Sequence, residues 1–330
     1  MKKSVYIFND GEFKRKDNTI YFESENGAKF LPAENINDIY VYSEVNFNKK
    51  FIEFISQKEI LIHFFNYFGY YTGTFYPREH YNSGYMILKQ AEHYLDEEKR
   101  LVLARSFVNG AAKNMQQVLK YYQNRGRNLE ERYNSIEDLK SKIDGCTSVN
   151  ELMGIEGNMR DHYYKTFNDI VKSESFKMKD RTKRPPRDPI NTLISFGNSL
   201  MYTVVLSEIY KTYLDPRIGY LHSTNFRRFT LNLDVSEIFK PIIVDRLIFS
   251  LIDKGMITED DFSSTMEGLL LSESAKKKFV TGFDEKMKTT IKHRETNKEV
   301  SYRMLIRMEL YKIEKHLMGE KEYTPFIARW

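Results

Sequence analysis

The sequence predicts an α+β chain: a small N-terminal β domain, β-sandwich-like with one helix, over residues 1–83, followed by a larger all-α domain over residues 84–330. Three observations predict it. Before residue 80, short β-rich runs alternate with turn pairs such as Asp-Gly and Asn-Gly; from about Tyr85 the apolar period changes to 3.6; and 330 residues, 41% hydrophobic, suffice for two cores of ordinary size.

The β domain opens with "SVYIF", then Asn9-Asp10-Gly11, "EFKRK", Asp17-Asn18, "TIYFES" and Glu25-Asn26-Gly27. Residues that tolerate positive φ between β-rich runs predict hairpins at all three turns. "DIYVY" and "ILIHFF" continue the strands, and between them Phe47, Phe51, Phe54 and Ile55 fall at helical spacing. Beyond the boundary at Pro77 to Ser83, Leu88, Ala91 and Leu95, then Val108, Met115, Leu119 and Tyr122, predict one face of a long helix with an interruption near Gly110. Further helices follow, with breaks at "NRGRN", "SKIDGCTS", "KRPPRDP" and "LDPRIG".

Composition narrows the function classes. Fifty-one Lys and Arg against 46 Asp and Glu leave a net charge of +5, too small by itself to require a polyanionic partner. The single cysteine, Cys146, excludes an intramolecular disulfide or a cysteine-ligated metal cluster and fits a reducing, cytoplasmic setting. "MKKSVYIFNDGEF" turns polar too early for a signal peptide, and no apolar run approaches the ~18 residues of a membrane span, so no membrane partner is expected. There is no GxxxxGK[ST] loop, GxGxxG turn or GxSxG elbow, which argues against nucleotide hydrolysis, dinucleotide redox and serine hydrolase chemistry. Most of the 23 Tyr and 23 Phe must be core, though some could stack on bases.

Three stretches carry candidate chemistry. In "ELMGIEGNMRDHYYKTF" (151–167), Gly154 and Gly157 flank Glu156 in a helical pattern at roughly 1 kcal/mol each relative to alanine, implying a close approach beside that acid. Downstream, "DPRIGYLHSTNFRRFTLNLDVSEIFKPIIVDR" holds His222, Asp234 and Glu237; on a helix the two acids, at i and i+3, project to one side. Singly, Asp234 reads as a helix cap, Glu237 as a surface acid and His222 as a core histidine. Together with Glu156 they form a hard donor set suited to Mg2+ or Mn2+, and hence to phosphodiester chemistry. The third stretch, "KSESFKMKDRTKRPPRDP" (172–189), is either a solvated connection or a flexible arm on a phosphate backbone.

In order and at fitting separations, "GIEGNMRDHYY", "KRPPRDPINTLISFGNSLMY", "LDPRIGYLH" and "LDVSEIFKPIIVDR" resemble the CRISPR-associated protein one family, as do "LARSFVNGAAKNM" and "YRMLIRMELYKIEKHLMGEKEYTPF". The resemblance implies a metal-dependent DNA endonuclease and integrase that inserts foreign fragments into a CRISPR array by transesterification. It implies Glu156, His222 and Glu237 as metal ligands and catalytic residues, with Asp234 an acidic neighbour, and glycines beside Glu156 that serve helix packing and phosphate approach. Family members often carry Tyr at Asn198 and Arg at Lys240. The partners implied are double-stranded DNA, a second copy joined through the β domain as a homodimer, and CRISPR-associated protein two. Lys183, Arg184, Arg187, Arg227, Arg228, Lys276, Lys277 and Lys278 are candidate backbone contacts. A non-catalytic DNA-binding scaffold and a metal-dependent RNA nuclease are the competing readings.

Overall fold

A computed structural model describes residues 2–78, 81, 83–183, 185–224, 229–265, 268–293 and 297–329. It divides into two compact units, residues 1–80 and 81–330.

The first unit holds two four-stranded sheets. One, ordered β1-β5-β7-β8, contains β1 (Lys3–Ile7), β5 (Ile36–Val41), β7 (Leu61–Phe65) and β8 (Tyr71–Phe75), parallel except for β7 with β8. The other, ordered β4-β3-β2-β6, contains β2 (Gly11–Lys16), β3 (Thr19–Ser24), β4 (Gly27–Pro32) and β6 (Val45–Phe47). Phe13, Ile20 and Phe22 from the second sheet share a core with Ile7, Ile39 and Ile62 from the first and with Phe51, Phe54 and Ile55 of helix α1 (Lys49–Gln57).

Two of the three expected hairpins form: β2 turns into β3 through Asp17 at φ 52°, and β3 into β4 ahead of Gly27 at φ 108°. The third does not. After Asn9-Asp10-Gly11 the chain leaves the first sheet for the second, so β1 and β2 never pair. Gly11 is required for space instead, since a Cβ there would run into the Glu23 carbonyl oxygen.

The second unit is mostly helical: α2 (Gly84–Leu95), α3 (Glu97–Gln123), α4 (Glu130–Ser141), α5 (Val149–Lys165), α6 (Phe167–Ile170), α7 (Pro189–Ile209), α8 (Leu231–Lys240), α9 (Arg246–Asp253), α10 (Glu273–Lys288) and α11 (Tyr302–Leu317). It is not all-α as expected. Hairpins β9 (Phe262–Thr265) with β10 (Gly268–Leu271), and β11 (Thr290–Lys292) with β12 (Glu299–Ser301), interrupt it.

The long helix predicted from Tyr85 is two helices, broken at Asp96, whose Oδ1 accepts the Lys99 amide at 3.0 Å and so caps α3. Helix α2 buries Met86, Gln90 and His93 and leaves the expected face residues Leu88 and Leu95 exposed. Helix α3 runs unbroken through Gly110, where a Cβ would meet Pro325 Cβ at 2.7 Å and Ile238 Cγ1 of α8 at 3.2 Å. That glycine serves close packing, not a break. Helix α3 packs against both α5 and α8 and thereby sets the distance between the two acid-bearing helices.

Candidate active site

Helix α5 starts at Ser148, whose Oγ accepts the Glu151 amide at 3.2 Å, and carries Glu156 and Arg160 one turn apart. Arg160 Nε donates to Glu156 Oε1 at 2.7 Å, and Arg160 Nη2 donates to Glu237 Oε2 on α8. The other oxygen of Glu237 accepts from Lys240 Nζ at 2.5 Å, and that ammonium also donates to the Tyr202 hydroxyl of α7 at 2.7 Å. The two glutamates expected to act together therefore meet at one guanidinium. Burial pushes the Glu237 carboxyl up, but Arg160, Lys240 and His222 outweigh it and hold the group at about 2.

Asp234, completely buried in the first turn of α8, neither caps the helix nor shares Glu237's hydrogen-bond partners. It gathers the preceding loop. Its Oδ2 accepts the amides of Tyr220 and Leu221 at 2.6 and 3.0 Å, and its Oδ1 accepts the His222 amide at 2.9 Å. The loop can come this close because position 219 is glycine: a Cβ there would lie 2.9 Å from Asp234 Oδ2 and 2.7 Å from the Thr230 carbonyl carbon.

His222 Nδ1 lies 2.7 Å from Asp234 Oδ1. A carboxylate only accepts, so Nδ1 carries the proton and the neutral ring keeps its lone pair on Nε2. Burial lowers the imidazole pKa, and the hydrogen bond and charge of Asp234 more than reverse that, leaving it raised. Histidine ligands to metals are commonly oriented in this way.

Among the described residues, no three His, Cys, Asp or Glu side chains are grouped as a metal site would need. The donors nonetheless fit a hard divalent ion in type: two carboxylates and an imidazole with its ligating nitrogen open. The Arg160 guanidinium, held by both glutamates, lies between these two carboxylates. Sequence reasoning passed over Arg160 and gave Lys240 no role, although i+4 from Glu156 and i+3 from Glu237 were the available signals.

The glycines beside Glu156 do not serve helix packing as expected. A Cβ at Gly154 or Gly157 would meet nothing within 4 Å, and both residues are exposed to solvent, with Gly154, two residues before Glu156, on the far side of the helix from that acid.

Among the basic candidates, Lys183 and Arg187 are exposed, whereas Arg184, Arg227 and Arg228 lie outside the described residues. Partial burial, then Arg181 and Lys240, lower the pKa of Lys183, which places its ammonium in the field of the site's cations. Lys276 is buried, contrary to its expected role on an open cationic face; Lys277 and Lys278 pair with Glu273 and Asp261. Within the 172–189 segment, Met178, Asp180 and Arg181 are tied down. Asn168 binds both the amide and the carbonyl of Met178, Asn191 Nδ2 donates to the Asp180 carbonyl at 2.8 Å, and Arg181 Nη1 donates to Asn191 Oδ1 at 2.7 Å.

Residues 5–285 match the family model described as CRISPR associated protein Cas1. Over 330 residues, all of both chains, the sequence is 57% identical to the CRISPR-associated endonuclease Cas1 2 of Thermodesulfovibrio yellowstonii. The fold is similar to that of a solved Cas1 protein from Thermotoga maritima, with TM-score 0.90 and 51% identity over 98% of this chain and 100% of that one. It also resembles a casposase bound to integration product, with TM-score 0.86, 22% identity, and 99% and 96% coverage, a likeness of fold.

Proposed function

This chain belongs to the CRISPR-associated protein Cas1 family and is an enzyme, an endonuclease of CRISPR adaptation, and we propose that Glu156, His222 and Glu237 are the metal ligands with which it cuts double-stranded DNA. The observation that carries this reading is the convergence of Glu156 and Glu237 on one cation, beside a histidine whose Nε2 is left open by Asp234. A bound Mg2+ or Mn2+ would polarise a phosphoryl oxygen and make water or a 3′-hydroxyl a better nucleophile.

The protein's own groups supply the rest. Asp234 fixes the tautomer and direction of His222, and the Glu237 carboxylate stays ionised far below neutral pH. Arg160 balances the carboxylates when no ion is present, and Lys240, tethered to Tyr202, keeps Glu237 oriented when Arg160 moves away. Water attacking the phosphorus displaces one ester oxygen, which leaves as a hydroxyl, and the strand is cut; a DNA 3′-hydroxyl attacking a target phosphorus in the same way forms a new phosphodiester as the old ester bond breaks, which is strand transfer and hence insertion of a fragment into a CRISPR array.

The assembly suited to this chemistry is a homodimer through the β domain, joined by CRISPR-associated protein two, so that two separate sites serve the two ends of one fragment. In this reading the β domain, expected over residues 1–83, acts in dimerisation and the helical domain, expected over 84–330, in catalysis; the two compact units, 1–80 and 81–330, divide close to that boundary. Light scattering at micromolar concentration should give the mass of two chains; a monomer would overturn the assembly. For the chemistry, Mn2+ binding followed by paramagnetic resonance should weaken in single alanine variants at 156, 222 and 237. Wild-type protein should cut duplex DNA in preference to a matched RNA. A His222→Ala protein that binds Mn2+ and cuts DNA as the wild type does would show the ligand set to be wrong.

A further inference from the structure

The second unit has a cleft of about 830 Å3 whose lining shares no residue with the Glu156–Glu237 site. Its walls are the C-terminal end of α3, helix α9 and helix α10. Six basic side chains line it, Arg125, Arg246, Lys254, Lys277, Lys278 and Lys286, with two carboxylates, Asp253 and Glu285; Lys277 and Lys278 are paired with Glu273 and Asp261 outside the lining. The lining also supplies the hydroxyls of Ser250, Ser274 and Thr281.

Charge alone would describe any solvated basic face. This cleft differs in being built around Tyr121. The guanidinium carbons of Arg125 and Arg246 lie 4.3 and 4.6 Å from the centre of that ring, which holds two cations over one residue. Lys286 comes from the opposite wall, its ammonium 5.4 Å from the Tyr302 ring centre. Among the described residues no carboxylate pairs with Arg125, Lys254 or Lys286. Burial and the nearby Arg246 pull the Lys286 ammonium down to about 8. Like charges are thus assembled in a partly desolvated groove, an arrangement that costs free energy until an anion enters.

We propose that this cleft is a second phosphate-binding site, in which Arg125, Arg246 and Lys286 grip the backbone of the DNA substrate away from the reacting bond. The volume suits a nucleotide-sized piece of chain, and planar guanidinium groups with hydroxyls beside them match phosphate oxygens. Contacts to phosphate carry no base information, so the grip proposed is independent of sequence. The inference rests on the reading of this protein as a DNA enzyme.

The test uses the full chain and the pair of substitutions Arg125→Gln and Lys286→Gln, with Lys286→Arg as the charge-keeping control. Duplex DNA affinity is measured across a salt series. Removing two phosphate contacts should make the slope of log affinity against log salt shallower by about two and weaken binding roughly tenfold or more at moderate salt. Lys286→Arg should behave as wild type. In parallel, the 13C-labelled Lys286 side chain should titrate at higher pH when duplex DNA is added. An unchanged slope in the double variant, with its circular dichroism intact, would overturn the inference. So would a Lys286 resonance that responds to inorganic pyrophosphate but not to DNA. Wild-type protein that neither binds nor cuts DNA would instead overturn the functional reading.

Discussion

Asp245 should make this protein less stable as pH rises from acid to neutral, and replacing it with asparagine should remove that loss. It ends the π-helical turn Pro241–Asp245 that joins α8 to α9, with 1% of its surface exposed and neither carboxylate oxygen in a hydrogen bond. Burial raises its pKa to about 7 from an ordinary value of 3.8, against the opposing charges of Arg160 and Lys240. A raised acid binds its proton more tightly when folded. Its contribution is therefore complete below the unfolded pKa and disappears as pH climbs through the folded one.

The shift of about 3 units corresponds to about 4 kcal/mol at full extent, of which about 3 kcal/mol falls between pH 5 and pH 8. An asparagine side chain cannot ionise, so Asp245→Asn should gain about that much relative to wild type across this window. The assay is urea unfolding of both proteins at several pH values with chelator present, following the helical unit by circular dichroism. The difference between the two stability curves isolates this group from every other titration. Parallel curves would refute the reasoning and mean that Asp245 is already ionised, with a partner, at pH 5.

At the candidate site, alanine at Glu156, His222 or Glu237 should abolish cutting and strand transfer while duplex affinity is kept, whereas Asp234→Asn should lower activity roughly 10–100-fold by freeing the imidazole, as read by single-turnover cleavage. Two glycines should respond oppositely to alanine in thermal unfolding: Gly110→Ala, with Pro325 Cβ at 2.7 Å, should cost about 1–3 kcal/mol, and Gly154→Ala, with open space, should gain about 0.5–1 kcal/mol. Glu208 on α7 is fully buried and paired with Lys211, Arg303 and Arg307, which outweigh its burial and hold it at about 2; Glu208→Gln should cost about 3–5 kcal/mol, measured by denaturant unfolding at pH 7.

What the sequence disclosed follows the range of the interaction concerned. Alternation in "TIYFES" and the left-handed residues Asp17 and Gly27 are local, and the hairpins they promise are present. Asn9-Asp10-Gly11 carries the same local signal but sits where the chain changes sheets, and only the distant Glu23 carbonyl explains its glycine. Leu88 and Leu95 keep helical period yet face outward, because α2 buries Gln90 and His93 instead; Gln90 does so by bonding the backbone at Asp215 and Ile218, 125 or more residues away. No window along the chain contains that information.

The same distinction explains the site. Glu156 and Arg160 lie on one helical turn, as do Glu237 and Lys240, so each ion pair was within reach of a spacing argument. What spacing cannot supply is the join between them, Arg160 crossing to Glu237, which depends on α3 holding α5 and α8 together. That join also states what the proposed ligand set requires. An ion can sit between the two glutamates only if the guanidinium yields its place, and Lys240, bonded to both Glu237 and the Tyr202 hydroxyl, is the cation that would stay behind. The fully buried Asp234 fixes the histidine independently of that exchange, because its oxygens bond the 220–222 loop and not Arg160.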